Sequence, residues 1–121
     1  MPYQCSGLEL PAAAQDNRNA MAKGYWVTWY RAVFDSDAHA RYALLAGPIL
    51  EAYGGKFLVR GMSSISPEGA ANERAVVIEF ESVDQALAAY NSVEYQAILG
   101  QLIGLVDRDV RIFEALSSPV R

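Results

Sequence analysis

Arg74-Ala-Val-Val-Ile-Glu-Phe80, followed without a break by Glu81-Ser-Val-Asp-Gln-Ala-Leu-Ala-Ala-Tyr90, is the stretch that decides the fold. Its first part has three β-branched residues in a row plus Phe80, with Glu79 set among them, and reads as a buried strand. Its second part opens a helix at Ser82, with Gln85 at the capping-box spacing. A buried strand running straight into a capped helix is half of a β-α-β unit, and the rest of the chain supplies matching pieces.

Upstream, Tyr25-Trp-Val-Thr-Trp-Tyr-Arg-Ala-Val33 is rich in aromatic and β-branched residues and predicts the first strand. Asp35-Ser36-Asp37 brings cap candidates and negative charge to a helix start. Ala38, Tyr42, Leu45, Ile49 and Tyr53 then form one apolar stripe. Pro48 removes a helix hydrogen bond and predicts a kink or break near Gly47. Gly54-Gly55 ends the helix, and Lys56 to Gly61 reads as the second strand. After the helix at Ser82, Ser92 can cap a further segment carrying Tyr95, Ile98, Leu99, Leu102 and Val106, and Val110 to Ala115 reads as a fourth strand.

The order is β-α-β-β-α-β, an α+β ferredoxin-like arrangement. Right-handed crossovers give an antiparallel sheet of order 4-1-3-2 with the helices on one face. Parity makes the other face apolar as well: Val77 opposes Val76 and Ile78, and Leu58 opposes Phe57 and Val59. A second copy of the chain is the simplest cover, so a homodimer joined through the sheet face is expected. By the same parity Arg60 and Glu79 both fall on that dimer face. An ion pair between them is therefore expected, with a structural role favoured over a catalytic one.

The chain of 121 residues is long enough for one domain without disulfide or metal support. We read residues 1–22 as a flexible N-terminal arm, 23–116 as the domain and 117–121 as a C-terminal tail. The arm contains Pro2, Pro11, an alanine run and the one cysteine, Cys5, and has no signal-peptide pattern. With 14 acidic against 10 basic residues the net charge is −4, and no basic cluster is visible, which argues against a nucleic-acid partner. No apolar run is long enough to span a membrane as a helix. A cytoplasmic location is the expectation.

Gly47-Pro48, Tyr53-Gly-Gly-Lys-Phe-Leu-Val-Arg-Gly61, Val77-Ile-Glu-Phe80 with Ser82, and Tyr90-Asn-Ser-Val-Glu-Tyr-Gln96 together resemble the DUF1330 family over about residues 23–116. Val93 stands where that family usually has proline. The resemblance implies a dimeric α+β barrel and carries little chemistry with it, since members of the family are mostly uncharacterised.

Little in the chain marks a reaction. His39 is the only histidine, the carboxylates are not grouped at ligand spacing, and neither a nucleophile elbow nor a phosphate loop is present; no metal and no cofactor are expected. Glu79, Arg60 and His39 are the catalytic candidates, although an exposed helix position is the plainer reading of His39. Trp26, Trp29, Arg41, Tyr42, Tyr90 and Tyr95, with Tyr30, are the ligand-binding candidates. Core packing is the plainer account of each ring. The functional account is a cleft between helices and sheet that holds a flat apolar or aromatic compound. By analogy with the barrel superfamily, the chain is then a small-molecule-binding homodimer. It would be a metal-free enzyme of monooxygenase, cyclase or isomerase type acting on an aromatic or polyketide-like compound. The alternative is a non-catalytic dimeric interaction or stress-related module.

Overall fold

A computed structural model describes residues 22–116; the expected arm apart from Ala22, with Cys5, and the tail lie outside the described residues. Strand β1 spans Gly24–Val33, helix α1 Ser36–Ala52, β2 Lys56–Met62 and β3 Arg74–Phe80. Two short helices follow, α2 Val83–Tyr90 and α3 Val93–Leu99, and β4 spans Val106–Glu114. The sheet is antiparallel in the order β2-β3-β1-β4, which is the expected order counted from the other edge.

Each helix starts where a side-chain oxygen can satisfy an otherwise unpaired amide. Asp35 Oδ1 accepts from the Ala38 amide at 3.0 Å, Ser82 Oγ from Gln85 at 3.0 Å and Ser92 Oγ from Tyr95 at 3.1 Å. The capping box at Ser82 is only half formed, because the Gln85 side chain donates to the Tyr53 carbonyl at 2.6 Å instead. That bond ties the start of α2 to the end of α1, where Gly54 takes a positive φ of 94°. Helix α1 runs through Pro48 without the expected break. Pro48 and Leu44 both lie on its exposed side, where water can serve the orphaned carbonyl. Its buried stripe is Ala38, Tyr42, Ala46 and Leu50, a strict four-residue spacing; Leu45, expected in the stripe, is 47% exposed.

The core lies between this stripe, the short helices and one face of the sheet. Trp26, Ile78, Phe80, Tyr95 and Leu102 are its largest fully buried side chains. Trp26 stands at the centre, with ring centroids of Tyr95 at 5.2 Å, Tyr90 at 5.5 Å and Phe80 at 6.2 Å. Gly24 allows α2 to sit close on β1: a Cβ there would lie 2.5 Å from the Ser82 carbonyl oxygen, a backbone atom that cannot swing aside.

The opposite face carries Tyr25, Val27, Val59, Val77 and Phe113, with Trp29 51% exposed, and no described helix packs on it. The apolar second face is therefore present as parity required. One detail of the parity is different. The β2–β3 register slips between Phe57 and Val59, a bulge at Leu58. Before it, Phe57 pairs with Ile78; after it, Val59 pairs with Val77 and Arg60 with Val76. The slip moves Arg60 to the helix side of the sheet, while Glu79 stays on the open side and accepts a 2.8 Å bond from the Tyr25 hydroxyl. The expected Arg60–Glu79 ion pair does not form, because one extra residue in a period-2 strand exchanges the faces of everything beyond it.

Candidate functional site

Between α1 and the sheet a narrow cleft opens at the end of the strands where Tyr30, Arg74 and Arg108 stand side by side in register. Arg108 is its hub. Strand β4 presents Val106, Arg108, Val110 and Ile112 to the helices, so a guanidinium occupies a position its neighbours fill with aliphatic groups. One terminal nitrogen donates to the Tyr30 and Tyr42 hydroxyls, each at 3.2 Å, and the other to the Tyr95 hydroxyl at 3.1 Å. The Tyr42 and Tyr95 hydroxyls lie 2.6 Å apart, one donating to the other. Three rings from β1, α1 and α3 are thus gathered on one cation.

Burial pushes the Tyr95 hydroxyl toward the protonated form; burial also raises Tyr30, against the pull of Arg108. The Tyr30 and Tyr95 hydroxyls therefore keep their protons while accepting from Arg108. His39 lies on α1 with its ring edge-on to Tyr30, centroids 4.9 Å apart, and lines the cleft instead of projecting into solvent. Burial, then the positive charges of Arg74 and Arg108, hold its pKa below the usual histidine value. A histidine depressed in the fold contributes stability above its unfolded pKa, near 6.5, and loses it as the pH falls through the folded value. Between pH 7 and pH 5 the melting temperature of His39→Gln is expected to fall less than that of the parent chain. Equal falls in thermal melts at the two pH values would contradict this environment for His39.

The deepest part of the cleft has a volume of about 30 Å³, room for one or two waters. It shares His39, Ala43, Arg60 and Arg74 with an outer recess of about 510 Å³, a size suited to a small organic molecule. The guanidinium of Arg60 lies over the Phe57 ring at 4.1 Å, at the junction of the two.

Of the expected site residues, the structure brings Trp26, Tyr42 and Tyr95 to the cleft or directly beneath it, together with His39 and Arg60. Tyr90 packs behind, against Trp26 and Tyr95. Trp29 belongs to the open sheet face and is held there by Glu73, because it is one residue out of phase with Trp26 and Thr28. Arg41 points to solvent, one position before the buried Tyr42. Glu79 is on the wrong face to reach the cleft. Arg74 and Arg108 were not anticipated, although both interrupt an otherwise apolar strand face. Among the described residues no cluster of three or more His, Cys, Asp or Glu side chains could hold a metal ion, and no helix is long and apolar enough to cross a membrane.

The four-stranded sheet with helices on one face is the ferredoxin-like fold of the α+β barrel proteins. Solved structures agree: a protein of unknown function from Rhodopseudomonas palustris aligns with TM-score 0.63 at 16% identity, over 89% of this chain and 95% of that one. SnoaB, a cofactor-independent oxygenase from Streptomyces nogalater, aligns with TM-score 0.58 at 10% identity, over 83% and 99% of the two chains. A dimeric ferredoxin-like protein of unknown function from Thermobifida fusca aligns with TM-score 0.54 at 14% identity, over 77% and 91%. No curated protein matches the chain. The chain belongs to the family described as Domain of unknown function (DUF1330), whose model matches residues 23–116.

Proposed function

We propose that this protein is a cytoplasmic homodimer that binds a small aromatic or polyketide-like compound in the cleft and acts on it without a metal. The observation that carries the reading is the Arg108 hub. A half-buried cation surrounded by three inward hydroxyls and opening to a recess is more than core packing needs, since a hydrocarbon side chain would fill the same place without partly desolvating a charge. His39 is the one cleft-lining group able to take a proton near neutral pH, its depressed pKa keeping it neutral and ready to accept. It would remove a proton from an acidic O–H or C–H of the ligand, leaving an anion for Arg108 and the tyrosines to stabilise. A monooxygenase, cyclase or isomerase chemistry is compatible with that step. The second copy would cover the open face built around Val27 and Val77.

The small inner volume favours a rival reading in which the dimer itself is the function and the cleft is only packing. Ala43→Phe separates the two, because Ala43 lines both the cleft and the recess. In a thermal-shift screen of planar aromatic compounds, the parent chain is expected to give hits that the folded Ala43→Phe variant loses. Hits that stabilise both equally would place binding elsewhere.

A further inference from the structure

The polar groups of the cleft are almost all donors. Arg60, Arg74 and Arg108 line it together with His39, and no aspartate or glutamate is among its lining residues. The acids nearest Arg108 in sequence, Asp107 and Asp109, turn to the other side of β4 and are taken by Arg31, at 2.8 and 2.7 Å. Among the described residues none of the three cleft arginines has a carboxylate partner within ion-pair distance, in a chain whose net charge is −4.

Hydrogen-bond accounting leads to the same place. A guanidinium has five N–H donors, and the three that Arg108 spends all go to hydroxyls. Each hydroxyl has thereby used an acceptor site and still owns a proton. Between Tyr42 and Tyr95 one proton is donated from one hydroxyl to the other, so a second is left over, and the Tyr30 proton has no acceptor among the described residues. The Nε of Arg74 is buried with no hydrogen-bond partner among the described residues. Buried donors without acceptors are costly, and charged ones most of all. The groups lining the cleft suit an acceptor carrying negative charge.

We infer that the ligand enters as an anion, and that its head is a carboxylate seated in the inner cleft between Arg74 and Arg108. This rests on the reading of the cleft as a small-molecule site and specifies the class of compound. The inner volume fits the head group alone, and the flat body of the ligand lies in the outer recess over Ala43. Arg60 at the junction attracts the anion on entry, since a cationic cleft in an acidic surface focuses the field inward. A planar carboxylate matches the fork of a guanidinium in a way an alcohol or amide does not.

Calorimetric titration at low ionic strength with 2-naphthoate and with 2-naphthamide, its neutral isostere, tests the proposal. The carboxylate is expected to bind the parent chain at least about tenfold more tightly, the effect of one or more charge-assisted bonds. Arg74→Met is expected to erase that preference, bringing the carboxylate down to the affinity of the amide. Arg60→Met, a substitution at an exposed position, is expected to weaken binding of the carboxylate. Equal binding of the two probes, or a preference that survives Arg74→Met and Arg60→Met, overturns the anion proposal and leaves the cleft reading in place. Binding of neither probe overturns both.

Discussion

Replacing Trp26 with alanine is expected to remove about 3–5 kcal/mol of stability, the usual cost of deleting a buried aromatic ring. For a domain of this length that corresponds to a fall in melting temperature of at least roughly 12 °C. The side chain is 1% exposed and touches rings from three other elements, so little can collapse into the space it leaves. Its indole N–H donates to Thr28 Oγ1 at 2.8 Å, and both groups lie in the interior. Truncation would therefore leave a buried hydroxyl without that donor as well as a cavity. Trp26→Phe keeps most of the volume and is expected to cost much less. Thermal denaturation at one fixed protomer concentration reads the difference. A fall of only a few degrees for Trp26→Ala would mean the aromatic cluster is not the centre of the core.

Val77→Asp is expected to abolish dimerisation. Val77 is in the middle of the open face, flanked by Val27 on β1 and Val59 on β2. An aspartate there would have to be buried against a second apolar sheet with no partner, at a cost of several kcal/mol per copy and twice per twofold interface. On that face Lys56 stands opposite Glu79 and Arg111 opposite Val27, so neither cation is the cross-strand neighbour of position 77. Light scattering coupled to size exclusion should therefore show a dimer for the parent chain and a monomer or aggregate for the variant. A parent chain that runs as a well-folded monomer would remove the case for sheet-to-sheet pairing.

Much of the fold was legible because local signals agreed with one another. Ser82 and Ser92 cap helices where their spacing said they would, and the apolar run from Arg74 to Phe80 became the strand that pairs with both β1 and β2. The reading failed at Leu58. A bulge leaves no mark in a sequence of mixed apolar and charged residues such as Lys56-Phe-Leu-Val-Arg60, yet it exchanges the two faces for every residue after it. Arg60 went to the wrong side for that reason alone, and the ion pair with Glu79 went with it.

The site was half visible. Tyr42 and Tyr95 could be assigned an inward direction from helix periodicity, whereas Trp26 and Trp29 could not be told apart, because both parities of β1 are apolar. Arg108 was missed for a different reason. Between Val106, Val110 and Ile112 it breaks an apolar face in the same way Glu79 breaks one in β3, but arginine on the last strand reads as an edge charge until three tyrosines are seen to converge on it. The convergence joins residues 13 to 78 positions apart, and no local pattern encodes that.

The central claim, that the cleft holds a small molecule, is tested most directly by a native mass spectrum of the protein purified from its own host and sprayed without denaturation. The account predicts a bound organic species of defined mass on the parent chain. It would be released on denaturation and absent from Ala43→Phe prepared in parallel. A spectrum of bare protein, or the same adduct on both chains, would contradict it.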